Sequence, residues 1–87
     1  MPNDLLFHGK SFEEYTYWEE QDSKTLEKVK RLLADIRRNG YTGIGKPEPL
    51  KNGQGKWSRR IDKENRLIYR IEGNTVHVYA CRHHYDD

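Results

Sequence analysis

Glu48, four arginines and a histidine pair followed by tyrosine are the side chains of this sequence best suited to chemistry. Glu48 stands between Pro47 and Pro49. The proline on its carboxyl side drives Glu48 toward extended backbone, and the one before it removes a backbone donor, so the carboxylate is displayed from a stiffened loop or edge strand. Arg59, Arg60, Arg66 and Arg70 recur over a short stretch, and His83, His84 and Tyr85 come close behind. A carboxylate can take a proton from a hydroxyl, an imidazole can return one to a leaving oxygen, and guanidinium groups can hold charge on a pentacoordinate phosphate. Together these are the parts for cleaving a phosphodiester without a metal. Singly, each has an ordinary reading: an arginine on a strand is usually solvated, Tyr85 can be an apolar anchor, and Trp57 reads as core. His77, His83 and His84 match no zinc spacing, so no metal or other cofactor is expected.

These residues have to be gathered by the elements that carry them. Asp4 to His8 reads as a short first strand, and Ser11-Phe-Glu-Glu14 as a capping box opening a helix to about Glu20. Phe12, Tyr15 and Trp18 then form an aromatic stripe for the core. Asp22 or Ser23 can cap a second helix, in which Leu26, Val29, Leu33 and Ile36 recur at helical spacing before the stop at Asn39-Gly40. Tyr41 to Pro49 is a glycine- and proline-rich loop. The remainder alternates with period two, giving strands at Lys56 to Ile61, Arg66 to Ile71 and Thr75 to Cys81 in an antiparallel meander. Alternation puts Trp57, Arg59, Ile61, Leu67, Tyr69, Ile71, Val76, Val78 and Ala80 on core-facing sides. It puts Ser58, Arg60, Arg66, Ile68, Arg70, His77, Tyr79 and Cys81 on the opposite one. Arg60 and Arg66 share a face only if the turn between their strands holds an odd number of residues.

The expected architecture is therefore α+β: an antiparallel twisted sheet of four to five strands packed against an N-terminal helical hairpin, as one domain over residues 1–87. With 87 residues, 33% of them hydrophobic and 34% charged, the chain can support one thin core and no more. No apolar run is long enough for a membrane span or signal peptide, which leads us to expect a cytoplasmic protein with no membrane partner. The single cysteine, Cys81, excludes an internal disulfide. The net charge of +2 conceals a polarity, since residues 24–70 alone carry +9 and the two ends are acidic. Such a basic middle suits a polyanion, nucleic acid being the usual one.

Several separate stretches, in order, make the chain similar to the YoeB toxins of the RelE/ParE superfamily. They are Tyr15-Thr-Tyr-Trp18, Asp35-Ile-Arg-Arg38, Gly45-Lys-Pro-Glu-Pro-Leu-Lys51, Trp57-Ser-Arg-Arg-Ile61, Arg66-Leu-Ile-Tyr69 and Ala80-Cys-Arg-His-His-Tyr85. The resemblance covers nearly the whole sequence. It implies a microbial-ribonuclease-like fold and the toxin of a type II toxin-antitoxin pair, one that cuts mRNA in the A site of the 70S ribosome and so inhibits translation. It also implies neutralisation by a YefM-like antitoxin, and a homodimer by analogy. On this resemblance Glu48 is the general base and His84 the general acid. Arg60 and Arg66 stabilise the transition state and Tyr85 assists, while Lys51, Arg59 and His83 contact RNA. The sequence departs from the family at His83, where relatives often carry an aromatic, and at Asp86-Asp87, which follow the tyrosine that usually comes last. Two alternatives stand beside this reading: a ParE-like inhibitory binding protein without catalysis, and a ribonuclease acting without the ribosome.

Overall fold

The computed structural model describes residues 2–83. The elements run β1 (Asp4–Phe7), α1 (Ser11–Gln21), α2 (Ser23–Asn39), β2 (Glu48–Pro49), β3 (Trp57–Arg60), β4 (Arg66–Glu72) and β5 (Thr75–Ala80). They form a five-stranded sheet in the order β1-β5-β4-β3-β2, with the two helices on one face. β3 to β5 pair antiparallel, as the alternation predicts, and the end of the glycine- and proline-rich loop adds the two-residue β2 antiparallel to β3. β1 instead lies parallel to β5, so the sheet is mixed. The connection from β1 to β5 runs through both helices and through β2 to β4, ample length for two strands to be laid parallel.

Leu26, Val29, Leu32, Leu33 and Ile36 of α2 form the buried stripe, and with Trp18 of α1 they meet Ile61, Leu67, Tyr69, Val76, Val78 and Cys81 from the sheet. Asp22 caps α2, its Oδ1 accepting from the Thr25 N–H at 3.1 Å, and Gly40 at φ 70° ends it. Phe12 does not join the core and is 58% exposed, although its ring stands edge-on to Phe7.

Two local expectations fail for physical reasons. The capping box at the start of α1 is absent: Ser11 is already helical and buried, and its hydroxyl donates to the Val78 carbonyl at 3.0 Å. Glu14 likewise turns across, accepting from the Cys81 N–H at 2.8 Å. Both groups dock the end of β5 instead of closing their own helix. The second failure is parity at the end of β5. Tyr69 pairs with Val78 but Ile68 pairs with Ala80, so Tyr79 is the extra residue of a β-bulge. Past that bulge the alternation inverts. Cys81 enters the helix-side core, while Ala80 comes to lie beside Ile68, outside it.

Candidate active site

Arg60 lies directly across from Arg66 in the β3–β4 ladder, which is the odd-turn register that a shared face requires. Asp62 makes that turn, its Oδ1 accepting from the Glu64 and Asn65 N–H groups at 2.8 and 2.7 Å. Two guanidinium groups opposed in this way repel, a cost that an anion lying between them would reverse. Glu48 is paired with Ser58, and Ser58 with Ile68, so the carboxylate is on this same face, one step along the strands.

Arg66 ties the row together. Its Nη1 donates to the Ser58 hydroxyl at 3.0 Å and reaches Glu48 Oε1 at 3.4 Å. Ser58 is buried and the Arg66 side chain is 17% exposed, against 60% for Glu48. A long contact to so exposed a carboxylate stabilises by at most about 1 kcal/mol. Glu48 is therefore aimed at Arg66 without being locked to it.

Cys81 and His83 are held to this region by backbone contacts. The Trp18 indole N–H donates to the Cys81 carbonyl at 2.7 Å, on the opposite side of the residue from Glu14. His83 lies at φ 73°, its N–H donating to Asn65 Oδ1 at 2.6 Å and its carbonyl accepting from the Arg66 N–H at 3.1 Å. His83 is thus tied to the start of β4 beside Arg66. His84 and Tyr85, together with the Asp86-Asp87 extension, lie outside the described residues. Lys51 is exposed in the turn just after β2. Among the described residues no group of three or more His, Cys, Asp or Glu side chains is placed to hold a metal ion.

Arg59 does not join this face, which corrects its assignment to RNA. It points to the helix side, is fully buried, and spends all five of its N–H donors on the protein. Nε donates to the Tyr69 hydroxyl at 3.1 Å, and Nη1 to Asp35 Oδ2 at 2.5 Å and the Ile44 carbonyl at 3.0 Å. Nη2 donates to the Gly40 and Thr42 carbonyls at 2.8 and 2.7 Å. The guanidinium thus pins the loop that leads into β2 and so sets where Glu48 begins. That hydrogen bond is also the main reason the Asp35 carboxyl is held below its ordinary pKa. Gly43 is required here, because a Cβ would lie 1.9 Å from Asp35 Oδ2.

The alternation puts Ser58 on this face but does not reveal its hydrogen bond to Arg66, and nothing in the sequence announces an open cleft of about 530 Å³ lined by Tyr17, Trp18, Asn65, Arg82 and His83 among others. In it the Arg82 guanidinium stacks 3.5 Å over the Tyr17 ring. Nothing in the spacing of Tyr17 and Arg82 announces that contact. Cys81, by contrast, is no nucleophile: burial, with a smaller push from Glu14, raises its thiol pKa to about 12.

Residues 7–85 match the family described as "YoeB-like toxin of bacterial type II toxin-antitoxin system". The chain is 44% identical to Toxin YoeB of Escherichia coli over 82 residues, covering 93% of this chain and 98% of that protein. It superposes with a TM-score of 0.91 on the YoeB dimer from Staphylococcus aureus, at 40% identity and over 98% of this chain and 100% of that one. YoeB in the heterotetrameric YoeB-YefM complex of the same organism gives 0.87, at 41% identity and over 98% and 99% of the two chains.

Proposed function

The chain belongs to the YoeB-like toxin family of bacterial type II toxin-antitoxin systems, and from this premise we propose that it is a ribosome-dependent mRNA endoribonuclease working by side-chain acid–base chemistry. One observation carries the reading: Arg60 and Arg66 face each other on the open side of the sheet, with Glu48 3.4 Å from the Arg66 guanidinium.

In the proposed reaction Glu48 accepts the proton of a ribose 2'-hydroxyl as its oxygen attacks the adjacent phosphorus. Arg60 and Arg66 hold the charge that gathers on the phosphate oxygens, each such cation being worth about 3–4 kcal/mol in the rate step. The bond to the 5'-oxygen breaks as His84 delivers a proton to it, leaving a 2',3'-cyclic phosphate and a free 5'-hydroxyl. Tyr85 assists at the chain end, and Lys51 and His83 contact the RNA on either side. The +9 charge of residues 24–70 supports a large RNA surface such as the A site of the 70S ribosome. Such an enzyme acts in the cytoplasm.

The antitoxin is proposed to be of the YefM type, since the similar Staphylococcus aureus protein is seen in complex with YefM. A homodimer is proposed on the same footing, from the dimer of that relative. Toe-print mapping of translated mRNA tests the function: new 5' ends inside the A-site codon are expected when the protein is added, and an unchanged pattern would overturn the reading.

A further inference from the structure

Beyond Glu48 the open face continues into a second cluster. Two residues before Ser58, just ahead of β3, and two residues after Ile68 on β4, about 7 Å from the Ser58–Ile68 row, lie Lys56 and Arg70, with His77 paired to Arg70 on β5. His8, just past the end of β1, and the bulge residue Tyr79 complete the group. The His8 ring stacks on Tyr79 at 4.7 Å and 18°, and on His77 at 5.0 Å and 27°. His8 Nε2 and His77 Nδ1 share a hydrogen bond of 2.7 Å, and His77 Nε2 is 3.6 Å from Glu72 Oε1. The Lys56 ammonium sits 4.3 Å from the centre of the Tyr79 ring. Arg70 reaches Glu72 only at 3.5 Å, and its Nε has no acceptor among the described residues.

We infer that this ladder of His8, Tyr79 and His77, with Lys56 and Arg70 beside it, is a subsite for single-stranded RNA neighbouring the cleaved bond. The inference rests on reading the Glu48–Arg66 row as the cleavage site. Nearly parallel rings beside cations are the arrangement that binds single strands: the rings stack bases and the cations take phosphates. Its rings are already fixed in place, His77 between His8 and Glu72, so little side-chain freedom is lost when a base arrives. Lys56 is held at Tyr79 by a cation–π contact, which at a partly exposed site is weaker than base stacking. A base therefore displaces the ammonium from the ring, and the long side chain carries it to the adjoining phosphate. The face is continuous with Arg60 and Arg66, four residues or about 13 Å away along the strands, within the span of a few nucleotides of one strand. Two cations against the single acid Glu72 favour a polyanion over a protein segment.

The test is an NMR titration of the full chain with a hexaribonucleotide methylated at every 2'-oxygen, which cannot be cleaved. The ring resonances of His8, Tyr79 and His77 should shift together with the side chains of Arg60 and Arg66. Tyr79→Leu should weaken binding about tenfold. The double variant Lys56→Gln, Arg70→Gln should flatten the slope of log Kd against log salt by about 1.4, for two single-strand phosphates. It removes partly exposed side chains, so it keeps the test alive should Tyr79→Leu fail to fold. Rings that stay unmoved while Arg60 and Arg66 respond, variants that bind like the parent, no binding at millimolar RNA, or a ladder that responds only to an antitoxin-type peptide would each overturn the subsite. Cleavage of ribosome-bound mRNA is scored separately. An active enzyme with a silent ladder loses only the subsite, whereas a responding ladder on an inactive protein loses the nuclease reading and keeps the RNA-binding face.

Discussion

Arg59 and Asp35 form an ion pair of 2.5 Å on the helix side of the sheet, back to back with the Arg60–Arg66 pair on the open side. Consecutive residues of one strand thus point to opposite sides: Arg59 holds the loop that leads to Glu48, and Arg60 stands opposite Arg66 on the open face. With Arg59 fully buried, removing it leaves Asp35 and three carbonyls short of their donors. Arg59→Ala should cost about 3–5 kcal/mol in urea unfolding. Arg59→Lys should recover little, since an ammonium cannot reproduce a planar five-donor fork. A fully stable Lys variant would contradict this account of the loop.

Stability should respond to acid through the same pair. The Asp35 carboxyl titrates below its ordinary value in the folded state, chiefly because Arg59 donates to it. Its contribution is therefore present above the unfolded carboxyl pKa of about 3.9 and is lost as pH falls through the lower folded value. Unfolding free energies measured from pH 7 down to 3 should show Asp35→Asn less stable at neutrality and falling less steeply below about pH 4. Parallel curves for the two proteins would count against it.

The Cys81 thiol, with its pKa raised to about 12 by burial, should be silent in the native protein. At pH 8 its modification by a disulfide reagent should proceed at the rate of unfolding and speed up with denaturant. Fast labelling of folded protein would show that the clamp of Trp18 and Glu14 on this residue opens.

Ser58 positions Arg66 through a 3.0 Å hydrogen bond without itself facing solvent. Ser58→Ala should lower the single-turnover cleavage rate about tenfold, the value of one hydrogen bond to a charged group, with the half-saturating protein concentration little changed. Ser58→Thr, which keeps the hydroxyl, should restore most of the rate. A purely structural role would instead move stability and leave this split unseen.

Much of the arrangement was legible in the sequence, and the failures share a cause. Period-two alternation placed Ser58, Arg60, Arg66 and Arg70 on one face because β3 and β4 pair without interruption. It misplaced Ala80 and Cys81 because a bulge at Tyr79 depends on the partner strand and has no glycine or proline to announce it. Ser11 and Glu14 carry the spacing of a capping box, yet tertiary partners on β5 outcompete the local one. The RNA contact that the resemblance implied for Arg59 does not fit a fully buried side chain, and its parity already put it on the core side. The clue was Asp35, an acid within a basic helix, facing a loop rich in glycine.

The central claim is that Glu48, Arg60 and Arg66 cut RNA on the open face. The most direct measurement is single-turnover cleavage of ribosome-bound mRNA with end-group analysis of the products, comparing the native chain with Glu48→Gln, a substitution that keeps shape and removes the base. The account predicts a 2',3'-cyclic phosphate and a 5'-hydroxyl from the native chain, and a rate at least a hundredfold lower for Glu48→Gln with ribosome binding intact. Equal rates for the two proteins, or products ending in a 5'-phosphate, would contradict it.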